Sequence, residues 1–167
     1  PTAECESLGR DVLAKQFEWE NLELFIRKVC RWGGHAGIGG RVIKNNSSED
    51  IREHFKAADA QMGKPEPSIS NALEYINKIK GFGTPSFASK QLRFLYPQSC
   101  PVLDSRMTWL GYEFTATEYG RFAKDCETLA ETLTEQGIEN PFPGRPKKWL
   151  VSDVDMALFA RLSGWKK

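Results

Sequence analysis

One aspartate follows a glycine-rich turn, a helical segment and a short apolar run. The run is Cys100-Pro-Val-Leu, the aspartate is Asp104, and a new helical pattern starts at Ser105. A carboxylate can stabilise the positive charge that builds up on a reacting carbon, such as a sugar carbon whose glycosidic bond is breaking. Asp104 could instead cap the helix that begins at Ser105, and the two roles can coexist.

The glycine-rich turn that precedes this run is suited to holding an anion. It reads Gly81-Phe-Gly-Thr-Pro-Ser, and its two glycines supply the backbone freedom that a tight reversal needs. Thr84 is a suitable N-cap, and Pro85 suits the first position of the following helix. Backbone N–H groups of the turn and of the helix start would offer donors and a positive dipole end to a phosphate. Because such contacts come from backbone, they would carry no sequence preference.

Helical periodicity surrounds the turn. The segment before it has Leu73, Ile76 and Ile79 at helical spacing, and the segment after it continues until Pro97. Further helices are predicted over residues 11–17, 21–32, 47–62, 105–110, 118–136 and 152–162. No convincing pair of strands is present. The sequence therefore predicts an all-α fold, in which residues 1–167 form a single compact multi-helix domain around a central hairpin.

Several local features of these elements are also predicted. Residues 1–10 are expected to be loosely docked. The glycine-rich residues 33–40 are expected to form a loop, because they follow no strand and lack the spacing of a dinucleotide-binding motif. Thr117 is predicted to cap the long helix that follows it. Ser152-x-x-Asp155 resembles a capping box at the start of the last helix.

Composition is that of an ordinary globular protein. Of its 167 residues, 40% are hydrophobic and 27% are charged. No apolar run is long enough to cross a membrane, and the first residues lack a signal-peptide pattern, so we expect a cytoplasmic, nucleoid-associated or nuclear protein that is not secreted. The four cysteines and two histidines have no metal-binding spacing, so we expect free thiols, no metal and no cofactor.

Charge is more informative in its distribution than in its sum. The net charge is only +1, yet residues 24–48 contain five basic side chains and no acidic one. Residues 75–103 contain four basic side chains and again no acidic one. Local basic faces on a nearly neutral protein can bind DNA phosphates, although ordinary solvated faces give the same pattern.

The stretch from Ile79 to Asp104 resembles the helix-hairpin-helix superfamily of DNA glycosylases, and in particular its 8-oxoguanine-type members. The likeness rests on Gly81-Phe-Gly-Thr followed by a helix, a short apolar segment and an aspartate. It covers about 26 residues, and a weaker likeness extends to the last helix. The resemblance implies a base excision repair hydrolase that flips a damaged or modified base, such as 8-oxoguanine, and cleaves its N-glycosidic bond.

The resemblance assigns roles to residues around the turn. Asp104 would be the catalytic carboxylate. The DNA backbone would be bound by Gly81, Phe82, Gly83, Thr84, Pro85 and Ser86. Many members with lyase activity carry a nucleophilic lysine directly after Gly-x-Gly-Thr, where this chain has Pro85.

Lys90 is the nearest candidate for the missing catalytic lysine. It lies five residues after Pro85 and so about 140° round the helix from it. Lys90 could instead contact a phosphate or be an ordinary solvated lysine. A glycosylase that uses Asp104 and water needs no lysine, so the sequence leaves open whether AP lyase activity accompanies base excision.

The last helix carries a possible base-binding pair. Asp155 and Phe159 are four residues apart and share a face. In 8-oxoguanine-type glycosylases a polar and an aromatic residue with this spacing contact the flipped base, and the resemblance implies the same here. Alternatively, Phe159 is a core residue and Asp155 a charge at the helix start, or Asp153 takes the place of Asp155. Further candidates for stacking on a base are Trp32, Trp109, Trp149 and Trp165, although core or rim positions would explain most of them equally well. Asn45 and Asn46 could fill the space left by a flipped base, but Asn-Asn-Ser-Ser is equally typical of a turn before a helix.

Two other functions are compatible with these observations. A non-catalytic helix-hairpin-helix DNA-binding module of a repair or defence complex would keep the turn but would need no base pocket. A helical interaction protein would use the glycine turn only to connect helices. For the glycosylase, the expected partner is DNA, and the chain is expected to act as a monomer without membrane contact.

Overall fold

The computed structural model describes residues 1–82, 84–142 and 144–164, and all regular structure in these residues is helical. The α-helices are α1 (Thr2–Ala14), α2 (Trp19–Trp32), α3 (Ala36–Asn45), α4 (Ser48–Met62), α5 (Ile69–Asn77), α6 (Pro85–Leu95), α7 (Ala116–Glu135) and α8 (Val151–Leu162). A 3₁₀ helix, called here the 3₁₀ segment, spans Ser105–Leu110. The prediction of an all-α fold is confirmed.

Local capping explains where several helices begin. The Ser47 hydroxyl accepts a hydrogen bond from the Asp50 N–H at 3.0 Å, as expected for an N-cap. Helix α6 begins at Pro85, as predicted. The predicted cap of α7 was wrong by two residues, because Thr115, and not Thr117, accepts from the Glu118 N–H at 3.1 Å.

The core is formed by the apolar faces of helices from the whole described chain. Helix α2 contributes an apolar stripe at helical spacing, in which Leu22, Phe25, Ile26, Val29 and Cys30 are fully buried. Helix α2 also packs against α1, α3 and α6, and α5 packs against α4, α6 and α7. The segment from α5 to α6 therefore lies at the centre of the helical packing.

The N-terminal residues are not loosely docked, in contrast to the prediction. They form α1, whose Glu6 carboxylate accepts hydrogen bonds from Arg93 at 3.0 Å and from Arg145 at 3.0 and 3.1 Å. Arg145 also binds Asp153 at 2.6 Å. Because these charges are largely buried, each requires its partner, and together they fix α1 against α6 and α8.

The glycine-rich segment was also predicted incorrectly, since most of it is helical. Helix α3 contains Gly37, Gly39 and Gly40. A Cβ atom on Gly39 would lie 3.1 Å from the Cα atom of Arg27, so the missing side chain permits close approach of α3 to α2. The glycines thus serve helix packing rather than loop flexibility.

No helix within the described residues combines the length and the apolar character that crossing a membrane would require.

Candidate active site

A single cavity of about 440 Å³ is lined by Lys90, Asp104, Asp155 and Phe159. Its other lining residues are Thr2, Trp32, Gly33, Val102, Met107, Met156 and Ala160. Binding sites for small ligands range over roughly 300–1,000 Å³, so the cavity has room for a nucleobase. The structure therefore brings together four predicted site residues that come from separate parts of the sequence.

Asp104 uses its two carboxylate oxygens differently. Oδ1 accepts hydrogen bonds from the Arg106 N–H at 3.2 Å and from the Ser105 hydroxyl at 3.3 Å, so Asp104 does cap the 3₁₀ segment. Oδ2 lies 3.9 Å from the Lys90 Nζ, and a quarter of the side chain is exposed. The cap holds the carboxylate in place while its second oxygen remains at the cavity.

Lys90 is a buried lysine and not a solvated one. Its Nζ donates to the Ser86 hydroxyl at 2.8 Å and lies 5.1 Å from the centre of the Phe87 ring. A Cβ atom on Gly33 would lie 2.9 Å from the Lys90 Cδ, so the glycine leaves the space through which the lysine chain runs. Burial lowers the pKa of Lys90, while the nearby Asp104 opposes this shift. The neutral, nucleophilic amine is thereby easier to form.

Asp155 is almost completely buried at the wall of the cavity. Its Oδ2 accepts a hydrogen bond from the Val102 N–H at 2.7 Å, which ties α8 to the segment that carries Asp104. Burial raises the pKa of Asp155 to about 7, although the positive charge of Arg93 and the Val102 hydrogen bond act in the opposite direction. Near neutral pH this side chain can therefore either donate or accept a proton in a hydrogen bond.

Asp153 does not take the place of Asp155. Its Oδ2 accepts hydrogen bonds from the Leu150 N–H at 3.1 Å and from the Asn140 amide at 2.8 Å. It therefore caps α8 and belongs to the ion cluster with Arg145. The predicted capping role of Ser152-x-x-Asp155 is wrong, because Ser152 and Asp155 both lie inside the helix and are buried.

Phe159 lines the same cavity one helical turn after Asp155. The ring is partly buried, and the Arg106 guanidinium lies 5.5 Å from its centre. The same guanidinium lies 5.4 Å from the centre of the Trp109 ring. Arg106 thus connects the aromatic wall of the cavity with the 3₁₀ segment.

The turn between α5 and α6 presents fewer free backbone donors than expected. Gly81 has a φ of +104°, in the region that favours glycine. The Phe82 N–H donates to the Ile79 carbonyl at 3.3 Å, the Thr84 N–H donates to the Phe82 carbonyl at 2.7 Å, and Pro85 has no N–H. The Phe82 side chain is buried, and Gly83 lies outside the described residues.

The first turn of α6 has a more accessible helix start. Within the described residues, the Thr84 side chain makes no capping hydrogen bond, so it does not occupy the N–H groups of this turn. The Ser86 N–H and the positive end of the helix dipole remain as features that could bind an anion.

Asn46 holds this turn against α3. Its amide donates to the Val42 carbonyl at 2.7 Å and to the Lys80 carbonyl at 2.8 Å, and its oxygen accepts from the Lys80 N–H at 3.1 Å. The idea that Asn46 fills the space left by a flipped base is therefore replaced by a structural role.

The tryptophans fall into different environments that sequence reasoning did not separate. Trp32 lines the cavity and donates its indole N–H to the Thr2 hydroxyl at 3.0 Å. Trp149 is largely buried and donates to the Ile138 carbonyl at 2.8 Å. Trp109 is 67% exposed, and Trp165 lies outside the described residues.

Within the parts of the chain that the structure describes, no three His, Cys, Asp or Glu side chains come together as they would to hold a metal ion. Comparisons of the chain with models of protein families, with curated proteins and with solved structures found no match.

Proposed function

We propose that this protein is a DNA glycosylase that removes a flipped, modified base, with 8-oxoguanine as the first base to test. The observation that supports the proposal most is the pairing of the Lys90 amine with the Asp104 carboxylate, 3.9 Å apart, at a cavity with room for a base. A carboxylate that can stabilise the developing positive charge and a buried amine that can act as a nucleophile are groups that cleavage of an N-glycosidic bond can use.

In the proposed reaction the base occupies the cavity between Phe159 and the wall formed by α2. The Phe159 ring stacks on the base, and Asp155 forms a hydrogen bond with its edge. The sugar remains at the cavity mouth, near the exposed oxygen of Asp104. Positive charge that develops on the sugar as the base leaves is stabilised by this carboxylate.

Lys90 is the proposed nucleophile in this reaction. Its neutral amine attacks the sugar carbon that carries the base, the base departs with the bonding electrons, and the amine loses its proton to solvent or to the departing base. Burial favours the neutral amine, and the hydrogen bond from Lys90 to Ser86 orients it. A covalent link to the opened sugar would then permit strand cleavage.

Excision can be measured on duplex oligonucleotides that each carry one modified base, with Asp104→Asn and Lys90→Gln as test variants. Lys124→Gln is a matched control, because Lys124 is an exposed lysine that pairs only with the neighbouring Glu127 among the described residues. We expect Asp104→Asn to reduce excision by roughly 100- to 1,000-fold with DNA affinity retained. Excision by Asp104→Asn at the rate of the unchanged protein would refute the proposed role of the carboxylate.

Borohydride reduction distinguishes the two versions of the mechanism. The unchanged protein and Lys124→Gln should become covalently linked to the damaged duplex, and Lys90→Gln should not. Excision without any trapped adduct would instead indicate that water attacks the sugar and that Asp104 orients it.

A non-catalytic DNA-binding module is the second candidate. It is favoured because the polar groups at the cavity already have hydrogen-bond partners within the protein. Lys90 binds Ser86, Asp155 binds the Val102 N–H, and Asp104 caps the 3₁₀ segment. Such pairing is also what a purely structural network requires. Salt-dependent DNA binding without excision of any base in the panel would support this candidate over the enzyme.

A further inference from the structure

An exposed apolar surface lies next to the cavity. In the described residues six large hydrophobic side chains are exposed, and three of them are close together in the sequence: Trp109 at 67%, Leu110 at 44% and Phe114 at 38%. Clustered exposed apolar side chains commonly mark a surface that binds another molecule.

The 3₁₀ segment presents Trp109 and Leu110 in a fixed position. The Asp104 carboxylate caps its start, and Met107 points into the core, where it lines the cavity. Gly111, with a φ of +86°, ends the segment. The exposed Trp109 thus belongs to the same short segment whose start is capped by the proposed catalytic carboxylate.

Arg106 joins this surface to the cavity. Its guanidinium is 5.4 Å from the centre of the Trp109 ring and 5.5 Å from that of Phe159. Among the described residues it pairs with no carboxylate, and its hydrogen bond goes to the Leu162 carbonyl at 3.4 Å. A positive charge between two aromatic rings favours a nucleic acid, with its phosphates and flat bases, over an apolar protein surface.

We propose that Trp109, with Leu110 beside it, is a stacking surface for an unpaired base of the DNA whose modified base enters the cavity. The inference rests on the proposed function, because it requires DNA at the cavity mouth. When a base leaves the duplex, its former partner and its neighbours lose stacking contacts. An aromatic side chain that covers one of these bases would replace those contacts and keep the duplex open.

The test uses a fluorescein-labelled duplex with a tetrahydrofuran abasic analogue opposite 2-aminopurine, whose emission falls when an indole stacks on it. The proteins are the unchanged chain, Trp109→Ala, Trp109→Phe and the control Leu129→Ala, which truncates another exposed apolar side chain on α7. Trp109→Ala should weaken binding to this duplex by roughly 5- to 150-fold, the range for loss of one base–aromatic stack. Trp109→Phe should retain most of the affinity, and Leu129→Ala should bind as the unchanged protein does.

Several outcomes would overturn the inference. It fails if Trp109→Ala binds the duplex and changes 2-aminopurine emission as the unchanged protein does, or if the unchanged protein does not bind this duplex. It also fails if Trp109→Ala abolishes self-association in sedimentation experiments while DNA binding is unaffected, since the surface would then bind a second copy of the chain.

The inference and the proposed function can fail separately. If Trp109→Ala excises the base and binds DNA normally, the stacking proposal is refuted and the glycosylase proposal stands. If stacking depends on Trp109 but no base is excised, the glycosylase proposal is refuted and the DNA-binding surface stands. Equal melting temperatures of the variants would exclude unfolding as the cause of either result.

Discussion

Replacement of Asp155 with asparagine should change the free energy of unfolding more favourably at pH 8 than at pH 5. Burial raises the pKa of this carboxyl from an ordinary 3.8 to about 7. Between these values the folded protein retains a proton that the unfolded chain has released, so the free energy of unfolding falls as the pH rises. Asparagine does not titrate, and its side-chain oxygen can still accept the hydrogen bond from the Val102 N–H.

The size of the effect follows from the two pKa values. A shift of this size corresponds to about 4 kcal/mol of unfolding free energy once the pH exceeds both values. Part of this stabilisation is already lost at pH 5, because that pH lies above the pKa of the Asp155 carboxyl in the unfolded chain. From pH 5 to pH 8, the stability of Asp155→Asn relative to the unchanged protein should therefore rise by about 2 to 3 kcal/mol.

Urea unfolding at pH 5, 6, 7 and 8 measures this difference directly. Ser152→Ala is the matched control, because Ser152 is buried on the same helix but does not titrate. Its effect on stability should be the same at every pH, whereas that of Asp155→Asn should grow up to about pH 7 and then level off. A difference between Asp155→Asn and the unchanged protein that stays constant from pH 5 to pH 8 would refute the reasoning about burial.

Two other substitutions test how the site is positioned. Gly33→Ala adds a methyl group 2.9 Å from the Lys90 Cδ and should displace the lysine side chain. Borohydride trapping should therefore fall by about 10- to 100-fold with little loss of stability, and trapping at the original rate would contradict this. Asn46→Ala removes three hydrogen bonds that hold Lys80 and α3 together, and should lower the free energy of unfolding by about 1–3 kcal/mol in urea titrations. The exposed Asn45→Ala serves as control, and equal effects of the two changes would argue against the role of Asn46.

The parts of the fold that could be predicted are those set by local sequence. Ser47 and Pro85 mark helix starts through their own backbone chemistry, and the stripe of α2 follows from its periodicity. Helix α1 could not be predicted in this way, because Glu6 is held by arginines 87 and 139 residues further along the chain. Similarly, Gly39 permits the close approach of α3 to α2, and nothing in residues 33–40 reveals that contact.

Four of the residues that line the cavity were named from the sequence, but their arrangement could not be predicted. The spacing of Asp155 and Phe159 placed both on one face, and both line the cavity. Sequence alone did not distinguish the environments of Asp153 and Asp155, since each is an acidic residue near the start of α8. Both are buried to the same extent, and their surroundings separate them, because Asp153 is paired with Arg145 whereas Asp155 lines the cavity. Trp32 was one of several tryptophans without a distinguishing pattern.

The position of Lys90 shows how a lysine in the second turn of a helix can bring its amine back to the helix start. Measured from Pro85, the lysine points about 140° away round the helix. Measured from Ser86 it is four residues on, on the same face, and its Nζ reaches the Ser86 hydroxyl at 2.8 Å. Side chains on a helix lean toward its N-terminus, so a long lysine one turn further along can return its amine to the first turn. The amine also lies 3.9 Å from the Asp104 carboxylate, so a lysine one turn into α6 still lies near the start of the helix and this acid group.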